Sequence, residues 1–407
     1  MDFPRRFVEI CSQSQPGTWG PLGEPLRTAG WTPSPTNQRI GNVNRVFSLC
    51  DTPENVTTRA RWQPRTPILS LLGGLILSFA FVLPGCAGED EPVVNVYSHR
   101  HYDTDQALFD RFAERTGIQV RVVSASADEL MARLEREGPA SPADLLITVD
   151  AGRLHRAKTR ALLQPVESDA LSEAIPSHLR DPEGYWFGLT QRVRILAYSR
   201  DRVDPDELQN YEDLTDQRWH DRVLARTSEN IYNVSHLASM VAALGPEEAE
   251  EWVRGVVANF ARPPQGNDTD QLRDIAAGVG DVALVNSYYV GRLLNADDEA
   301  SRELGRQVGI IFPNQDGRGA HVNISGIGVT AHAPNRAHAI QLMEFLVGEE
   351  AQQAFAEANF EYPVREGIDW APTLQQWGDF RADTLNLERL GEHNNEAVQI
   401  FDRAGWR

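Results

Sequence analysis

From residue 91 onward, short apolar runs alternate with stretches in which apolar side chains recur at helical spacing. Residues 93–97 (VVNVY) predict a strand. Residues 104–116 place Leu108, Phe109 and Phe112 on one helical face, with Asp103 as the expected N-cap and Gly117 as terminator. A second strand is expected over 118–123, a second helix over 128–137, and a third strand over 144–149 (DLLITV). The alternation continues with strands at 193–198, 281–286 and 309–312, helices between and after them, and no repeat period. Gly326-Ile327-Gly328 reads as a tight turn. A β-α-β-α-β order implies a parallel sheet with helices on both faces. Ligands of such sheets sit beyond the carboxyl ends of the strands, so the junctions after Tyr97, Val149 and Asn286 are where chemistry is expected.

The first part of the chain follows a different pattern. Residues 68–83 are almost wholly apolar, follow Arg59, Arg61 and Arg65, and end at Leu83-Pro84-Gly85-Cys86. A basic flank, a short apolar core and a small residue at its end describe a secretory signal peptide over 58–85. The stretch is short for a membrane span. Its closing cysteine resembles a bacterial lipoprotein box, although Pro84 departs from the usual small or aliphatic residue there. Cys86 would then be lipidated and begin a tether over 86–91, holding the body at a membrane on the periplasmic side or the cell surface. The alternative, an uncleaved anchor, leaves the body on the same side. Residues 1–57 are rich in Pro, Gly, Thr, Ser and Asn and show no sustained period; they read as a disordered leader or as a start assigned too early.

Composition removes several function classes. Acidic residues outnumber basic ones by 58 to 39, for a net charge of −19, so no basic footprint for nucleic acid exists. Removal of residues 1–85 leaves 31 basic against 53 acidic side chains and a single cysteine, Cys86. No intrachain disulfide or free catalytic thiolate remains. No G-x-S-x-G, H-E-x-x-H, phosphate-binding loop or dinucleotide fingerprint occurs in the mature part, which argues against an extracytoplasmic enzyme.

The predicted junctions carry an unusual set of side chains. Ser98-His99-Arg100-His101-Tyr102-Asp103 follows the first strand, Ser287-Tyr288-Tyr289 follows Asn286, and the loop 229–235 offers Tyr232. A phenol titrates near pH 10 and is neutral in water at pH 7. A multivalent cation beside it favours phenolate, an anionic oxygen ligand suited to hard ferric iron; zinc or copper would call for cysteine or several histidines. Four phenolates and an imidazole exceed a 3+ charge by one, so arginines nearby would balance the site. Arg100 and Arg192 are the candidates.

Tyr97-Ser-His-Arg-His-Tyr102-Asp-Thr-Asp, the run from Ser141 to Leu154, Trp186-Phe-Gly-Leu and Asn286-Ser-Tyr-Tyr289 resemble the ferric-iron-binding proteins of bacterial ABC importers. The similarity is to the branch with a His-Tyr pair, three further tyrosines and no obligatory bound anion, and it runs from about Val93 to the C-terminus. It implies a two-lobed clamshell (a type II periplasmic binding protein) whose lobes are mixed, mostly parallel sheets flanked by helices. The implied lobes are 92–197 plus 318–365, and 198–317 plus 366–407. It also implies His101, Tyr102, Tyr232, Tyr288 and Tyr289 as iron ligands, with the first two from one lobe and the rest from the other. Another branch has an acidic ligand near Asp150, which is assigned here to the surroundings of the site.

The implied function is capture of Fe(III), as transported ligand, by closure of a monomer and delivery to an ABC permease and its ATPase. A receptor for a small anion or organic solute on the same fold is the alternative; four tyrosines argue against it, since one aromatic wall would serve an organic solute. A start between residues 46 and 59 predicts that mass spectrometry of the native precursor detects no peptide from residues 1–45.

Overall fold

The computed structural model describes residues 91–100 and 102–407. The signal segment, Cys86 and His101 lie outside the described residues. Among the described residues no helix is long and apolar enough to cross a membrane.

The first sheet begins as the sequence pattern requires. β1 (Val93–Ser98) pairs in parallel with β2 (Gln119–Ser124) and with β3 (Leu145–Thr148). The connections are α1 (Asp103–Thr116) and α2 (Ala127–Glu137), whose apolar stripes Leu108, Phe109, Phe112 and Leu130, Met131, Leu134 are buried. Gly117 ends α1 at φ 75°, a left-handed position that favours glycine. A capping box between Ser126 and Glu129 opens α2. Asp103 is not the N-cap of α1. Tyr102 takes that position with extended backbone and no side-chain cap, and Asp103 is the first helical residue.

The chain then passes through α3 (Ala151–Thr159), β4 (Leu163–Gln164) and α4 (Asp169–Ala174) to β5 (Phe187–Ser199), the longest strand. β5 joins two sheets. Through Val193 it pairs antiparallel with β9 (Val322–Thr330), which borders β3, and it also receives β10 (Tyr362–Pro363). From Arg194 it pairs antiparallel with β7 (Val282–Asn286) and β8 (Val308–Ile311), and β6 (Val223–Leu224) lies parallel to β7.

Helices α5 (Ile231–Leu244), α6 (Pro246–Ala258), α7 (Asp268–Ala276), α8 (Ser287–Leu294) and α9 (Glu299–Gln307) belong to this second half. Helices α10 (Arg336–Leu346) and α11 (Glu349–Asn359) return to the first half, where both pack against α1. Three further helices, α12 (Pro372–Gln376), α13 (Glu388–Glu392) and α14 (Asn394–Ala404), complete the described chain, with α13 packed against both α3 and α5. The sheets are mixed, and less parallel than the strand-helix alternation implied, because β9 and β5 run back antiparallel to link the halves.

The crossover is pinned by one side chain. The Tyr211 hydroxyl donates to the Arg194 carbonyl on β5 and accepts the His321 N–H at 3.0 Å, so both linking segments share one buried group. Gly326 and Gly328 do not form a turn. They lie inside β9, where every residue is buried, and the run VNISGIGVT is a strand hidden on both faces. Its glycines admit close neighbours: a Cβ on Gly326 would stand 2.6 Å from Leu154 Cδ1 and 2.8 Å from the Phe187 carbonyl oxygen. Gly326→Ala should therefore cost about 1–3 kcal/mol by overpacking, seen as a lower urea midpoint with an unchanged slope.

Candidate metal centre

Four tyrosines reach the seam between the halves from three helix starts. Tyr102 caps α1, Tyr232 is the second residue of α5, and Tyr288 and Tyr289 lie in the first turn of α8. Tyr232 thus sits on a helix rather than in the loop expected at 229–235. The polar stretch before it supplies the entry turn, with Asn230 N–H on the Thr227 carbonyl. Each phenol stands near the positive end of a helix dipole, which favours a negative oxygen.

The rings form one cluster. Tyr288 and Tyr289 stack with centroids 4.2 Å apart. Burial pushes the Tyr102 phenol well above its ordinary value, with Glu361 adding to the rise and Arg100 and Arg192 opposing it. Tyr288 is raised by burial and then by Tyr232, Tyr289 and Tyr102, so phenols from both halves feel one another. Tyr289 is also raised, by burial first and by Asp268 next. Tyr102, Tyr288 and Tyr289 therefore resist ionisation without a cation.

Arginines surround it. Arg192, on β5 just before the crossover, stands 5.3 Å from the Tyr232 ring centroid and has a side chain only 1% exposed. Burial works against its charge; Tyr232, Glu361, Tyr288 and Tyr102 overcome that and hold the guanidinium above its ordinary value. Arg100 lies 4.7 Å over the Tyr102 ring and binds Asp105 through two nitrogens at 2.9 and 3.0 Å. Both candidates for charge balance are thus beside the phenols.

Other partners were not visible in the sequence pattern. Arg292, one turn beyond the Tyr-Tyr pair, lies 5.1 Å from the Tyr102 ring and 5.2 Å from the Tyr288 ring. Its spacing of four from Tyr288 is the signal that would have found it. Arg226 faces Tyr232 at 5.8 Å and pairs with buried Asp268, which also binds Arg194 at 2.9 Å. Glu361 is a lone acid in the buried run before β10, and that isolation is its only sequence mark.

Asp150 is engaged in structural bonds. It caps α3 through the Arg153 N–H at 3.0 Å and accepts Ser235 Oγ at 2.5 Å and Asn323 Nδ2 at 2.7 Å, tying α3 to the helix that carries Tyr232. His99 Nδ1 lies 3.4 Å from Arg153 Nη1. A cavity of about 1040 Å³ opens between α3 and the segment before α5, and Arg153, Thr227, Glu229 and Ile231 help line it. None of the four phenols is in its wall, so this open space and the tyrosine chemistry are separate features.

Among the described residues no group of three His, Cys, Asp or Glu side chains could hold a metal. Oxygen donors in the cluster are phenolic. Such a set suits a hard, highly charged cation able to displace phenolic protons.

Comparisons with known proteins give the family and the fold. A model of the bacterial extracellular solute-binding protein family matches residues 107–382. Iron uptake protein A2 of Synechocystis is 47% identical over 340 residues, covering 83% of this chain and 97% of that one. The Trichodesmium IdiA (FutA) structure in complex with iron and citrate ligands superposes with a TM-score of 0.76 at 47% identity, over 77% of this chain and 100% of that one. The ferric binding protein from Campylobacter jejuni gives 0.73 at 41% identity, over 77% and 100%.

Proposed function

The chain belongs to the bacterial extracellular solute-binding protein family, and we propose that it captures ferric iron between its two lobes for delivery to an ABC importer. The observation that carries this reading is the four-phenol cluster, assembled from both sides of the crossover around the buried Arg192. Tyr102, Tyr232, Tyr288 and Tyr289 are the proposed ligands, with His101 added on the sequence motif alone. Tyr102 enters from the lobe built on β1–β3 and the other three from the lobe built on β7, so the ion gains its full ligand set only when the lobes meet. It therefore favours the closed form by differential affinity, and a permease can recognise that form.

We propose lobes of 92–197 plus 318–365 and 198–317 plus 366–407, with a hinge near Val193 and Arg194; the change of sheet along β5 at that point supports it. Anchoring through Cys86, the partnership with a permease and ATPase, a monomeric state and the lack of enzymatic activity belong to the same reading. Its support is the kinship to solute-binding proteins and the signal segment in the sequence.

Titration of the chain from Ala87 onward with ferric citrate should produce a stoichiometric visible phenolate-to-iron band. The double substitution Tyr288→Phe, Tyr289→Phe should abolish it. A protein that stays colourless would move the function to an organic or anionic solute.

The phenols also set a pH dependence. The folded values of Tyr102, Tyr288 and Tyr289 lie above the ordinary phenol range, so between pH 5 and 8 each of these must release a proton to ligate the ion as phenolate. Affinity should rise with pH, by up to about tenfold per unit for each proton displaced. Competition against a chelator of known pH behaviour measures it, and a flat profile would exclude phenolate ligation.

A further inference from the structure

Glu361 is a buried acid beside the phenols that the ligand set does not use. Its side chain is 1% exposed, and its Oε2 accepts Thr190 Oγ1 at 2.8 Å and Arg100 Nη1 at 3.4 Å. Its Oε1 has no hydrogen-bond partner among the described residues and stands 3.6 Å from Arg192 Nη1. A carboxylate with a free oxygen is costly to bury, and the two guanidiniums offset that cost.

The chain makes a special effort to place it. Phe360, just before it, ends α11 in the left-handed region at φ 55°, which bulky residues rarely adopt. The Phe360 ring sits against Gly291 of α8, where a Cβ would come within 2.8 Å of Phe360 Cβ. Glu361 is thereby held between α1's entry and the helix that bears Tyr288 and Tyr289.

We propose that Glu361 is a specificity-determining residue that biases the site toward ferric over ferrous iron, an inference that rests on the proposed iron capture. Ferric iron with four phenolates leaves the centre one charge negative, and ferrous iron leaves it two negative. A fixed carboxylate beside the phenols repels the ferrous form more. The sign does not depend on how many phenols ionise, because the two oxidation states differ by one positive charge at the metal. Arg100 and Arg192 pull in the opposite direction, and Glu361 partly cancels them. Without it, the two buried guanidiniums would stabilise the more negative, ferrous centre. Glu361 does not touch the ion in this scheme; it acts through the field on the phenols and the arginines.

The test is a redox titration of the iron-loaded chain from Ala87 onward, followed by its visible band. Glu361→Gln should raise the ferrous-to-ferric affinity ratio at least about tenfold, which is an upward potential shift of about 59 mV for one electron. Thr190→Val removes the hydrogen bond to the same carboxylate and keeps its charge, so it should move the potential by less than a third of that. A merely structural role would shift both variants alike. An unchanged or lowered potential in Glu361→Gln, or an equal shift in Thr190→Val, overturns the proposal. Glu361→Met serves as a second neutral variant; if neither neutral variant melts cooperatively, the carboxylate is a folding requirement and the proposal falls. Wild-type protein that shows no iron band is a failure of iron capture itself, read before any variant is compared.

Discussion

A buried positive charge on the strand that joins the lobes is the constraint around which the rest is arranged. Arg192 lies one residue before the end of β5's pairing with the first sheet, and a guanidinium there is removed from water. It must be answered from both sides. The first lobe supplies Glu361 and Ser325 Oγ, the latter accepting from Arg192 Nη1 at 3.4 Å. The second supplies electron-rich phenol faces and oxygens, those of Tyr232 and Tyr288. The charge that costs energy to bury thereby becomes the reason the two halves share one site.

The same strand repeats the device two residues later. Arg194, also buried, points to Asp268 at 2.9 Å and to Asn286, the residue just before α8, at 3.3 Å. Asn233, next to Tyr232, accepts from its other nitrogen at 2.6 Å. Asp268 in turn holds Arg226 against Tyr232. The starts of α5 and α8 are thus fixed to β5 by charge-assisted hydrogen bonds, stronger and more directional than neutral ones. Residues that never contact a ligand set the positions of three phenols, and Tyr211 fixes the strand itself to the second link.

Local pattern made the strand-helix junctions legible, and with them the tyrosines, because each lies within a residue or two of a helix start. It did not expose Glu361, Asp268 or Arg226. Glu361 and Asp268 reach the site across separations of tens to hundreds of residues, and Asp268 reads locally only as the first residue of α7 after the Asn267 cap. Arg226 lies six residues before Tyr232 and is held there by Asp268, 42 residues on. β9 was missed for a different reason. Strands buried on both faces lack the alternation that marks a half-exposed strand, and two glycines in the run mimic a turn. Asp150 ends a junction of the right kind, and its carboxylate is used by a cap bond and two side-chain partners, one of them on the helix that bears Tyr232.

Phenols solve a problem that carboxylates would not. The protein is strongly acidic, and a cluster of four carboxylates could not be enclosed by closing lobes without a large desolvation cost and mutual repulsion. Neutral phenols can be enclosed at little electrostatic cost, since their protons stay in place while no cation is present. The arginines beside them then lower the barrier to ionisation, and burial together with Glu361 raises it. Ionisation is thereby left to whatever the lobes enclose. A monovalent or weakly polarising divalent ion offers too little field to displace several phenolic protons, whereas a small trivalent ion offers enough. Selectivity in such a centre comes less from the shape of the cleft than from the proton bill that an entering ion must settle.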